Sequence, residues 1–203
     1  MAEFVRTLET LELVGGALCL DFANTVNSRV NTDHDYLTQY SELVGWANKV
    51  GLLSPALAGH IQKRAKQDQQ KANETLDQAR RMRELIYRLF SNAASGSEPD
   101  KEDKEMFVRV YGEAVSHGQL SKKDTHYRTT WKLDESFAAL LWPIVHSAGE
   151  LLFSEELAHV KECPSCGWLF LDTSKNQSRR WCNMNTCGAR DKMRRYHKKQ
   201  QAK

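Results

Sequence analysis

No run of apolar residues in this 203-residue chain approaches the length of about 18 to 20 that crosses a bilayer. No secretory segment opens it, so the expected setting is soluble and cytoplasmic, where thiols stay reduced. A glycine-rich phosphate loop is missing as well, since Gly15-Gly16 alone makes no such fingerprint. His34, His60, His117, His126 and His159 are scattered, and neither a nucleophile–base pair nor a catalytic carboxylate pair can be assembled from spacing. The expectation is therefore a protein that is not an enzyme. Cysteine is scarce too, five in all, and four of the five fall between positions 163 and 187.

Those four are spaced Cys163-x2-Cys166, fifteen residues, then Cys182-x4-Cys187. A Cys-x2-Cys turn points two thiolates at one centre, and a second pair at that separation completes a closed tetrahedral zinc site. One structural Zn2+ is expected; two disulfides or a redox-active Cys-x2-Cys are the competing reading. A module of roughly forty residues is too small to fold readily without such a staple. Pro164 and Gly167 shape the first pair into a knuckle. Trp168 to Leu171 is β-prone, and the polar run Thr173 to Ser178 predicts a hairpin returning along Arg179-Arg180-Trp181. From Cys187 the spacing of Ala189, Met193 and Tyr196 predicts a helix with that stripe facing inward. Knuckle, hairpin and terminal helix together are treble-clef-like.

Charge is divided unevenly. From Lys161 to Lys203 there are eleven Lys or Arg against Glu162, Asp172 and Asp191, a net of +8, which leaves the remainder near −5 for a total of +3. Four thiolates on one zinc leave about two negative charges, which Arg179, Arg180 and Arg190 beside the ligands can offset. The surplus predicts double-stranded DNA as partner, met by Arg179, Arg180, Arg190, Lys192, Arg194, Arg195, Lys198 and Lys199, mostly at phosphates. A solvated basic tail that frays beyond Tyr196 is the plainer alternative.

The run LFLDTSKNQSRRWCNMNTCGARDKMRRYHKK resembles the CGNR zinc-finger proteins, named for a Cys-Gly-Asn-Arg signature at the last ligand. This chain has Cys187-Gly188-Ala189-Arg190, so Ala189 stands where the signature has asparagine, while all four cysteines are in register. Near the N-terminus, GGALCLDFANTV is similar to the opening motif of the helical domain that accompanies such fingers. The resemblance implies a stress-related, DNA-binding transcription regulator.

The fold class that follows is mainly α: a multihelical N-terminal domain (1–155) with a small β-hairpin, plus a treble-clef-like zinc finger (156–203). Apolar periodicity predicts helices over Leu18–Val26, Tyr36–Val50, from Ser54-Pro55 toward Asn73, over Leu76–Ala93 and Asp100–His117, and from an Asp134 cap through Leu152, bent at Pro143. Leu8–Leu13 reads as a short strand, and Gln119–Leu133 as a hairpin. Asp21 and Asn24, on the polar side of the first helix, and His146 are candidate lining of a ligand pocket; local backbone pairing is the alternative for the first two, and a core-side hydrogen bond for the third. The helical part is expected to take a small-molecule effector or to pair two chains. Two other functions compete with DNA binding: a zinc-stabilised protein-interaction module whose basic helix docks on an acidic partner or the acidic N-terminal domain, and an enzyme with a pocket near Asp21 and Asn24.

Overall fold

The computed structural model describes residues 7–30 and 34–201, with the side chains of Lys199 and Gln201 outside the description. Among these described residues, seven α-helices and two antiparallel two-stranded sheets follow one another. No helix among the described residues is long and apolar enough to cross a membrane.

Helix α1 (Leu18–Ala23) is shorter than its apolar spacing predicts. It stops because Asn24 turns its amide toward another part of the chain, and the backbone then extends to an isolated bridge between Val26 and Asp35. Helix α2 (Tyr40–Lys49) begins four residues later than its periodicity suggests. The Asp35 carboxylate accepts from the Leu37 N–H at 2.8 Å and holds the preceding turn, and the Glu42 carboxylate accepts from the Gln39 N–H at 2.8 Å to cap the helix. Gly51, with φ +79°, ends it as expected.

Helix α3 (Pro55–Gln67) starts on Ser54, whose hydroxyl accepts from the Leu57 N–H, with proline in the first turn. Asp68 then breaks the helix and caps the next by accepting from the Lys71 N–H at 3.1 Å. The residues from Gln69 toward Asn73 therefore belong to the long α4 (Gln69–Ser95). Leu76, Ala79, Met82, Ile86, Leu89 and Phe90 line the buried side of α4, about which the helices pack except the last one in the chain. Helix α5 (Lys101–Ser116) leads into the hairpin β1 (Gln119–Lys123) and β2 (His126–Thr130), which is largely exposed on both faces.

The strong apolar stripe beyond residue 134 is divided between a 3₁₀ turn (Phe137–Leu140) and α6 (Leu141–Leu152). Pro143 lies in the first turn of α6, where the helix has no amide bond to lose, so it starts a helix and does not bend one. Asp134 is not the cap, since Ser136 precedes the turn. Leu8–Leu13 is likewise no strand: its first residues form a turn closed by Thr10 N–H to the Thr7 carbonyl at 3.0 Å.

After a second 3₁₀ turn (Glu155–His159) come β3 (Val160–Glu162) and β4 (Leu169–Leu171), paired antiparallel across the Cys163–Cys166 turn. The finger's hairpin thus closes before the polar loop, and Arg179–Trp181 returns outside it. The other edge of β4 is covered by the N-terminal segment. The Asn24 amide donates to the Leu169 carbonyl at 2.8 Å and accepts from the Leu169 N–H at 2.9 Å, standing in for a strand. Two residues on, the Leu171 N–H donates to the Gly15 carbonyl at 2.8 Å. A side chain on Gly15 would collide with the α1 backbone, with the Asp21 nitrogen 2.7 Å away. Phe22, Trp46, Phe90, Leu140, Ile144, Leu169 and Phe170 lie fully buried in one apolar core shared by helices and finger.

Replacing Asn24 with alanine leaves both backbone groups of Leu169 without their partner in a dry core. We expect a loss of about 2–4 kcal/mol, read as a lower urea midpoint at saturating zinc. A midpoint that moves by less than the error of the measurement would show that this pairing contributes nothing.

Candidate metal centre and the basic helix beside it

The Cys163–Cys166 turn is tied at both ends, by Cys163 N–H to the Trp168 carbonyl and Gly167 N–H to the Cys163 carbonyl, each at 2.8 Å. Gly167 has φ +72°, and a Cβ there would lie 2.5 Å from that of Arg29, so conformation and space both demand glycine. The N-terminal segment grips the same turn. The Arg29 N–H donates to the Cys166 carbonyl at 2.7 Å, and the Trp168 indole N–H donates to the Val26 carbonyl at 2.8 Å. Arg29 continues inward, its guanidinium pairing with Glu84 and lying 4.0 Å from the Tyr87 ring centroid.

Cys182 follows the polar loop, which a buried carboxylate organises. Asp172 accepts from Lys161 Nζ at 2.7 Å, the Ser174 hydroxyl at 2.6 Å, and the Ser174 and Arg179 N–H groups at 3.0 Å. Burial opposes its ionisation, yet these donors, led by Lys161, hold the carboxyl well below the usual range. Cys187 sits on a single π turn, Met184–Gly188, capped where Asn183 Oδ1 accepts from the Asn185 N–H at 2.7 Å. The turn's extra residue brings Cys187 inward before α7 (Ala189–Gln201) begins.

The four sulfurs are buried and all lie within 4.8 Å of one another. Cys166 and Cys182 are 3.6 Å apart, Cys182 and Cys187 3.7 Å. Tetrahedral zinc with bonds of about 2.3 Å requires about 3.8 Å between sulfurs, whereas a disulfide needs about 2.05 Å. All five cysteines are free, so the disulfide alternative is not what the chain adopts. Without a cation the cluster cannot hold four thiolates. The Cys163 thiol is driven down by hydrogen bonds from Cys166, Cys182 and Cys187, while Cys166 and Cys182 are pushed up by the bonds they make to Cys163. A dication that all four sulfurs share removes this conflict.

The chain's residues 16–155 match the ABATE family, described as "Putative stress-induced transcription regulator", and residues 159–200 match the CGNR zinc finger. The chain belongs to the ABATE family. No curated protein matches it. Neither description is that of an enzyme, and the CGNR finger accounts for the four sulfurs as the cradle of one structural zinc. In this ABATE member the departure from the signature, Ala189, is exposed at the start of α7.

Other predicted site residues have mixed fates. Arg179 is turned inward: Nε donates to the Trp181 carbonyl at 2.9 Å, a terminal nitrogen bonds the Cys182 carbonyl, and the guanidinium lies over the Phe170 ring. It fixes the ligand loop through two backbone carbonyls of the Trp181–Cys182 stretch. Arg180, exposed, lies over Trp181 with 5.1 Å to the ring centroid. Arg190, Lys192, Arg194, Arg195 and Lys198 are exposed on α7, and Arg195 pairs with Asp191 at 2.9 Å. Lys199's side chain lies outside the described residues. Met193 and Tyr196 do not pack down as their spacing suggested; they are 62% and 61% exposed. Nor does α7 dock on the acidic helical part, since its described cations all face solvent.

Asp21, Asn24 and His146 are each engaged with different partners. Asp21 accepts from the Gly15 N–H at 2.8 Å, its carboxyl pushed up by burial, and Asn24 is spent on Leu169. His146 lies on α6 edge-on to Trp131, with Nδ1 3.4 Å from Glu150. The supports that sequence reasoning missed, Arg29, Asp172 and Lys161, had no local signal. GGALCLDFANTV did carry one, but its polar side serves the finger's strand.

Purified protein should carry one zinc per chain, and Cys182→Ser should abolish its retention, as metal analysis with a thiol count would show. Retention should weaken as pH falls, because protons compete for the four thiolates. Chelation should also red-shift tryptophan emission through Trp168, an effect that Trp168→Phe diminishes.

Proposed function

We propose that this chain is a DNA-binding transcription regulator in which the zinc finger holds α7 out as the element that meets the duplex. The carrying observation is the state of that helix. Its cations stand in solvent, and among the described residues Arg190, Lys192, Arg194 and Lys198 make no ion pair. A polyanion releases counterions on meeting such a surface, which favours association most at low salt. The finger is fixed to the helical part through β4 and Arg29, so α7 leaves the body in a set direction. The family's description as a transcription regulator supports the same reading.

Arg194, Lys192 and Arg180 meet phosphates in this account, with Arg190 near the groove entrance. Arg179 acts by holding the Cys182 loop. An acidic protein is the competing partner, because it would satisfy the same cations.

Selection from random duplexes with the zinc-loaded chain should recover sites whose affinity falls with salt, at a log–log slope of about −0.9 per phosphate contacted. Arg194→Ala should make that slope shallower by about 0.9, while Arg179→Ala should speed zinc loss with little effect on the slope. If no duplex shows salt-sensitive binding, the proposal is lost and an acidic protein becomes the partner to seek.

A further inference from the structure

The exposed stripe on α7 has a neighbourhood that says what covers it. Ala189, Met193 and Tyr196 recur at i, i+4 and i+7 and so lie along one face. Arg190, Arg194 and His197 run along one side of that face, and Lys192, Arg195 and Lys199 along the other, each row about 100° or less from the stripe. All of these whose side chains are described are exposed, and among the described residues Met193 and Tyr196 are left 62% and 61% open. An apolar strip between two rows of cations calls for an apolar floor between two anionic walls.

We infer that Ala189, Met193 and Tyr196 are base-reading residues that contact the 5-methyl groups of thymine on the floor of the DNA major groove. This rests on the proposed DNA-binding function and adds the side chains that confer sequence preference. The major groove is about 12 Å wide, and an α-helix with its side chains is about 10–12 Å across. Seated with the stripe inward, the two basic rows rise toward the phosphates on either wall. The thymine methyl is the apolar group that the groove floor offers, and alanine and aromatic side chains are suited to it. Contacts to phosphates alone would leave the stripe without a role. Lys198 lies on the opposite side of the helix from the stripe and takes no part in reading.

The test uses the zinc-loaded full chain and a duplex taken from selection, in two forms that differ only in thymine or uracil at the contacted positions. Loss of one contacted methyl should weaken wild-type binding about fourfold, and loss of two about fifteenfold, from about 0.8 kcal/mol for each methyl left uncovered. Met193→Ala and Tyr196→Ala, both exposed and so compatible with the fold, should each reduce this discrimination by about fourfold for the methyl it uncovers, while the salt dependence stays as in wild type. Selected sites should be richer in thymine for wild type than for the Met193→Ala, Tyr196→Ala double variant. Equal affinity for the thymine and uracil duplexes, or discrimination that survives both substitutions, overturns the inference while leaving DNA binding in place. Failure to bind any duplex removes the function beneath it. Binding to phosphatidylserine vesicles that depends on Met193 and Tyr196, with duplex binding indifferent to both, also overturns it and assigns the stripe to a membrane surface.

Discussion

Everything in this molecule depends on a three-residue strand bonded along both edges. Leu169–Leu171 pairs with Val160–Glu162 on one side, and with Gly15 and the Asn24 amide on the other. Its side chains are buried, so each unmet backbone group would be a polar atom stranded in an apolar core. That constraint explains the GGALCLDFANTV segment. The glycines let the backbone come close, Asp21 closes the turn, and asparagine is the side chain that both donates and accepts like a peptide.

The zinc cluster and the helical part therefore do not meet as two bodies joined by a linker. Arg29 fills the space left by Gly167 and then enters a charged network with Glu84, Arg83 and Asp35, where Arg83 and Asp35 form two bonds of 2.7 and 2.8 Å. Two arginines whose side chains are almost wholly buried are tolerable because each meets a carboxylate and backbone carbonyls. A chain of polar contacts thus runs from the cysteine turn to the middle of α4.

Much of this was legible in the sequence, and the reasons differ by element. The cysteine spacing specifies its own chemistry, since few arrangements other than a tetrahedral ion use four sulfurs so placed. Helices α4 and α5 and the hairpin at 119–130 announced themselves by period and by Gly96. The errors fall where a partner distant in sequence overrides local preference. Asn24 ends α1 early for a strand some 145 positions away, and β4 takes β3 as neighbour although a return along Arg179–Trp181 looked shorter. Met193 and Tyr196 share helical spacing with core residues, and spacing cannot tell a stripe that packs inward from one left open. Arg179 looks in sequence like every other cation of its cluster; only the positions of the Trp181 and Cys182 carbonyls set it apart.

The π turn at Met184–Gly188 has a consequence for how such a protein can change over time. Its end sets the rotational phase of the terminal helix relative to the sulfurs, because Cys187 is anchored and Gly188 alone separates it from Ala189. Removing Gly188 would leave composition and charge almost untouched, yet turn every later side chain by about 100° relative to the anchored Cys187. Insertions or deletions between Cys187 and Ala189 are thus a dial for aim, able to point the same thirteen residues at a different target without altering any of them.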